Sequence, residues 1–252
     1  MKLTFRIEYR TAWGEMLGAT LCGNDNQPIM LSTGDGIRWE GSAEMTDAPA
    51  GIPISYRYGV YRDGQCIRRE SGTMPHIFCP GKKRNCHYIL DDFWKDLPQE
   101  SYLYSSAFSG DYQSANSIKT MAPADCSITF RALCPCLHHK HQQLGICGRG
   151  AALGNWDCKQ TVLMEEIQAN EWTVTLNAAS LEFPLEYKFV ACNADTKEVE
   201  EWEVHNNRLL CIDGMKKGEI YLTPESEVRF TSSARKVAAV SYTHLRAHET
   251  GR

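Results

Sequence analysis

The chain has 252 residues, 42% hydrophobic and 23% charged, with a formal net charge of −4. That is the balance of a soluble globular protein with room for two cores, and it speaks against a nucleic-acid binder, whose surface is strongly basic. No apolar run approaches the roughly 20 residues that span a membrane.

From the N-terminus, apolar and polar residues alternate through Leu3–Tyr9, a strand pattern where a secretory leader has a continuous apolar stretch. A cytosolic location is therefore expected. Further strands are predicted over Glu15–Cys22, Arg38–Met45, Ile54–Tyr61, Gln65–Glu70 and Cys86–Leu90, with turn residues between them. The stretch 93–108 carries Phe93, Trp94, Tyr102, Tyr104 and Phe108, too much aromatic surface to float free, and is expected to pack on the first unit. Residues 109–125 are rich in Ser, Asp and Pro and read as a linker. The second half predicts strands over Ser127–Leu133, Gln143–Gly148, Glu171–Leu176, Leu185–Ala191, Glu198–Glu203, Glu219–Leu222 and Glu227–Phe230. No segment sustains a 3.6-residue period, so the expected class is all-β, antiparallel sandwich or barrel.

The halves repeat an order of features. An alternating strand (Leu3–Ile7, Ser127–Arg131) is followed by a strand ending Cys-Gly (Cys22-Gly23, Cys147-Gly148). Next comes a tryptophan opening a strand (Trp39, Trp172), and then an apolar-aromatic strand (Ile54–Tyr58, Leu185–Phe189). This favours a duplicated unit, divided as 1–108, a linker 109–125, 126–231, and a remainder 232–252. In that remainder, Ser241–Thr250 resembles a translated sequencing-adaptor read-through and is set aside from fold reasoning; the natural coding sequence is expected to continue past about residue 240.

The eleven cysteines are odd in number and scattered, as expected of thiols in a reducing compartment. The cluster Cys134, Cys136, His138, His139 and His141 matches no established zinc spacing, so no metal is predicted, and no cofactor is implied. No phosphate loop or nucleophile elbow occurs, and paired acids such as Glu165-Glu166 read as surface charge.

The most informative stretch is Leu153-Gly154-Asn155-Trp156, followed by Leu185–Val190, then Trp202-Glu203, then Asn206-Asn207-Arg208. A pyranose offers an apolar C–H face and a rim of hydroxyls. Indoles cover the face, while lysine, carboxylate and amide groups reach the rim. The order Leu-Gly-Asn-Trp, Trp-x-Val-x-Leu, Glu-Tyr-Lys-Phe, Trp-Glu and Asn-Arg resembles the family-20 starch-binding module, over about residues 127–230. The resemblance implies an immunoglobulin-like β-sandwich. It also implies a glucan site with Trp156 and Trp202 stacking and Lys188, Glu203 and Asn207 making polar contacts.

The first half resembles the same module more loosely. Thr11-Ala12-Trp13-Gly14-Glu15 and Trp39 match the family's second site, whereas the first-site tryptophans have no counterpart there. The sites implied by the resemblance are thus Trp156, Lys188, Trp202, Glu203 and Asn207 in one unit and Trp13 and Trp39 in the other. Up to about residue 240, the arrangement resembles the front of modular 4-α-glucanotransferases, plant-type disproportionating enzymes with two such modules ahead of a family-77 barrel. The expected partner is then α-glucan or maltooligosaccharide. An interaction module of immunoglobulin type for protein partners is the alternative.

Overall fold

The computed structural model describes all residues except 23–26, 47–49, 72–74, 82–84, 97–125, 136, 138–140, 205 and 233–252. The predicted linker, most of the aromatic stretch before it and the C-terminal remainder after Ser232 lie outside the described residues, as do Cys136, His138 and His139. Strands dominate what is described. The first half holds β1 (Lys2–Glu8), β2 (Met16–Leu21), β3 (Ile29–Met30), β4 (Ser32–Thr33), β5 (Arg38–Glu44), β6 (Ile54–Arg62), β7 (Gln65–Arg69), β8 (His76–Phe78) and β9 (His87–Phe93). The second holds β10 (Ser127–Leu133), β11 (Gln142–Gly148), β12 (Val162–Leu163), β13 (Glu165–Gln168) and β14 (Glu171–Asn177). It continues with β15 (Leu185–Asn193), β16 (Val199–Trp202), β17 (Arg208–Leu210), β18 (Glu219–Leu222) and β19 (Ser226–Glu227). Among the described residues, no helix is long and apolar enough to cross a membrane.

Three sheets result. One runs β13-β14-β10-β18-β9-β1-β5-β4, with β19 beside β10. The others run β3-β2-β6-β7, with β8 beside β6, and β12-β11-β15-β16, with β17 beside β15. The two five-stranded sheets are antiparallel throughout. The nine-stranded one is mixed, because β1 pairs β9 and β10 pairs β18 and β19 in parallel. Each five-stranded sheet covers one half of the nine-stranded sheet, which makes two β-sandwiches.

The first core packs Leu3, Phe5 and Ile7 against Leu17, Tyr56, Tyr58 and Val60. The second packs Ile128, Phe130 and Ala132 against Leu144, Ile146, Tyr187 and Phe189. Both follow the period-two alternation of their strands.

The sandwiches are joined through backbone. β18 pairs in parallel with β9, Glu219 opposite His87 through Leu222 opposite Leu90. Leu3 lies opposite Tyr88 and Ile128 opposite Tyr221, so the two tyrosines hold equivalent places in the repeat. Across the join, however, Tyr88 meets Ile220 and Tyr221 meets Ile89. A slip of one residue turns equivalent side chains to opposite faces. Accordingly, Ile220 and Leu222 enter the first core, while Tyr221 packs against the second. The two covering sheets therefore sit on opposite faces of one continuous sheet, related by an approximate two-fold axis along the strands.

A buried polar cluster closes this join. Arg131, on β10, donates to Asp92 Oδ1 at 2.7 Å, to the Asp91 carbonyl at 2.7 Å, to the Thr223 carbonyl at 2.6 Å and to Tyr56 Oη at 3.3 Å. Tyr56 and Tyr58 donate their hydroxyls to Asp92 Oδ2. His76 stands 3.5 Å from Asp92 and 3.7 Å from Glu225, which is paired to Lys95. Burial opposes protonation of His76, but Asp92 and Glu225 outweigh it and push its pKa up to about 10. Burial likewise raises the Glu171 carboxyl to about 7, against the pull of Lys95.

Candidate functional site

The Trp156 loop starts where β11 ends. Leu153 N–H and Asn155 N–H both donate to the Gly150 carbonyl, and Asp157 N–H donates to the Gly154 carbonyl. Leu153 is fully buried and anchors the turn in the core. Gly154, Asn155 and Trp156 have φ of 74°, 50° and 65°. Glycine is required at the first, because a Cβ there meets the Gln160 carbonyl oxygen at 2.6 Å. Asparagine tolerates the left-handed region, whereas a bulky indole rarely adopts it, so backbone strain is concentrated at Trp156 itself. Asp157 caps the next turn through the Lys159 N–H and Gln160; these hydrogen bonds, the Gln160 one foremost, hold its carboxyl below the ordinary range.

Trp202 closes β16 opposite Val190 of β15. The Trp156 and Trp202 rings stand 6.2 Å apart, inclined by 36°, and both are half-buried. On β15, Tyr187 and Phe189 face the core, so Glu186 and Lys188 face outward. Lys188 Nζ donates to the Glu203 carbonyl at 3.2 Å, which engages one of its three donors. Asn207 Nδ2 donates to Glu186 Oε1 at 2.7 Å, which directs its carbonyl oxygen away from that partner. Glu186 was not among the predicted residues. Its place two residues before Lys188 on one strand face was the available signal.

The structure places two of the expected residues away from the surface. Glu203 is the first. Its carboxylate is buried, and it accepts the Phe189 N–H at 2.9 Å and the Arg208 guanidinium at 2.8 and 3.1 Å. Trp39 is not a surface aromatic either. It is 5% exposed, lies opposite Ile7 in the first core, and donates its indole N–H to the Tyr9 carbonyl. Its repeat partner Trp172 is equally buried. Trp13 is fully exposed at the β1–β2 turn, and with Trp39 sealed inside, the two cannot share an open face. In the first sandwich, Tyr9 and Trp94 stack at 4.3 Å under the Arg68 guanidinium. Among the described residues, no group of three or more His, Cys, Asp or Glu is placed to hold a metal ion.

A cavity of about 200 Å³ lies between the sandwiches, lined by Ile77, Tyr88, Thr129, Thr173 and Thr175 among others. Phe78 and Tyr88, the aromatic residues among its described lining, are both buried, so the cavity opens no aromatic face of the kind the two indoles offer.

A rice protein, the "4-alpha-glucanotransferase DPE2" of Oryza sativa subsp. japonica, is 24% identical over 232 residues, which cover 84% of this chain and 24% of that protein. The chain thus spans about a quarter of that relative's length. Among solved structures, the family 15 glucoamylase of Hypocrea jecorina is 21% identical over 42% of this chain and 18% of its own, with a TM-score of 0.35. The family 20 CBM of the maltotetraose-forming amylase from Pseudomonas saccharophila STB07 is 18% identical over 38% of this chain and 98% of its own, with a TM-score of 0.30. Residues 125–219 match the family model described as "Starch binding domain". It is over its second sandwich, then, that the chain matches the starch binding domain family, and Trp156, Lys188, Trp202 and Asn207 all lie inside the matched stretch.

Proposed function

We propose that the second sandwich binds α-1,4-glucan of the starch or glycogen type on the Trp156–Trp202 shelf. The observation that carries this is the pair of half-buried indoles, 6.2 Å apart and inclined by 36°. Neighbouring glucoses of an α-1,4 chain turn relative to one another, and two tilted planes follow that curvature where coplanar rings do not. Each stacked glucose removes about 100 Å² of apolar area from water, worth roughly 2–3 kcal/mol before association costs. Lys188 donates to a sugar hydroxyl and Asn207 Oδ1 accepts from one. The expected affinity is about 10 µM to 1 mM per site.

The rice relative is named a 4-alpha-glucanotransferase. By analogy, the two sandwiches serve as the substrate-tethering front of such an enzyme, the rigid join holding the polymer at a fixed place. Retention on amylose resin, released by maltoheptaose but not by cellohexaose, tests the reading. Passage of the wild-type chain through the resin unretained contradicts it.

A further inference from the structure

We propose that Glu203 and Arg208 are a positioning pair that sets Trp202 on the shelf, and that this strut descends from the duplication rather than from sugar contact. The inference rests on the glucan reading for its purpose, though not for its geometry. The repeat supplies the argument. β6 and β15 occupy equivalent places, as do the segments that follow β7 and β16, and β8 and β17. In the second sandwich, Glu203 follows Trp202, accepts the Phe189 N–H, and pairs with Arg208 at the start of β17. In the first, Glu70 follows Arg69, accepts the Tyr58 N–H at 2.7 Å, and pairs with His76 at the start of β8 at 3.0 Å. Both carboxylates are buried. The same bonds thus recur where the preceding residue is an arginine and no tryptophan exists to stack on sugar. The carboxylate therefore belongs to the fold, and what it holds in place differs between the halves.

In the second sandwich it holds the shelf. Glu203 is adjacent to Trp202, and its own carbonyl takes the Lys188 ammonium. Arg208 lies over the Phe189 ring at 5.1 Å and also donates to the Glu227 carbonyl at 2.9 Å, while Val204 N–H donates to the Arg229 carbonyl. The segment after Trp202 is thereby tied both to β15 and to the chain beyond β19.

Two indoles 6.2 Å apart produce an exciton couplet in far-ultraviolet circular dichroism that reports their mutual geometry without ligand. We expect Arg208→Gln and Glu203→Gln each to halve this couplet in the free protein and to weaken maltoheptaose binding about tenfold, and the double variant to be no worse than the weaker single. Arg208→Lys, which keeps the charge, restores most of both signals. If Glu203→Gln fails to fold, the two Arg208 variants carry the test, since Arg208 is only partly buried. Reduced affinity with an intact couplet, or additive losses in the double variant, overturns the strut and returns Glu203 to direct contact. A collapsed couplet in variants of a wild type that binds no glucan leaves the strut standing and removes the glucan reading.

Discussion

Arg131 and Asp92, from different sandwiches, meet at 2.7 Å with side chains 2% and 0% exposed. The pair lies beside the β9–β18 backbone join, so the two halves share hydrogen bonds, charge and core residues. Removing one partner of a buried pair leaves the other charge uncompensated, at a cost of about 3–5 kcal/mol. Arg131→Met is expected to lower the melting temperature by about 10 °C. It should also split a single calorimetric transition into two, as the halves uncouple. A single, unshifted transition in the variant argues that the join contributes nothing to stability.

The same cluster sets the pH dependence. The folded pKa of His76, about 10, is raised above its unfolded value. Its contribution is therefore fully present below about pH 6.5 and is lost as pH rises through 10. Glu171, raised to about 7, acts in the same direction between about pH 4.5 and 7. Glu225 is depressed: burial raises its pKa, but Lys95 and His76 lower it further, so its contribution is lost as pH falls below about 4.5. Stability should peak in mildly acidic solution and decline by about 5–10 °C in melting temperature between pH 6.5 and 10. Thermal melts of wild type and His76→Gln check this: the variant should lose most of the alkaline decline.

Trp39 and Trp13 are predicted to separate cleanly. Trp39→Ala removes a core indole and should cost about 3–5 kcal/mol in urea unfolding. Trp13→Ala, fully exposed, should change stability by less than about 0.5 kcal/mol. Equal effects would contradict the burial assigned to Trp39.

How much of this was legible in the sequence varies by residue. Glu219–Leu222 was predicted as a strand with the bounds it has as β18, because its β-formers sit between turn residues. Its partners were not legible. Backbone pairing leaves no side-chain signature, and with Ile220 and Leu222 in one core and Tyr221 against the other, no polar face remains to betray an orientation. The short strands β3, β4, β8, β12 and β17 have two or three residues each, too few for a period to register. The Trp156 loop was legible from Gly154-Asn155. The resemblance implies a rim role for Glu203, and sequence carries no sign of its burial; Glu70, buried at the same step of the repeat with no tryptophan before it, is the feature that points to a place in the fold instead.

Gly154→Ala probes the loop. A Cβ there strikes the Gln160 carbonyl, and φ is positive, so the turn must open and Trp156 must shift. Affinity for maltoheptaose is expected to fall at least tenfold, with a stability loss of about 1–3 kcal/mol. Affinity within twofold of wild type would show that the loop's exact course does not matter.

The shelf itself is tested most directly by titrating maltoheptaose calorimetrically into wild type, Trp156→Ala and Trp202→Ala. Binding in the range of about 10 µM to 1 mM by wild type, and loss of at least about 2 kcal/mol in each variant, is the predicted result. No heat with wild type, or undiminished binding in both variants, would contradict it.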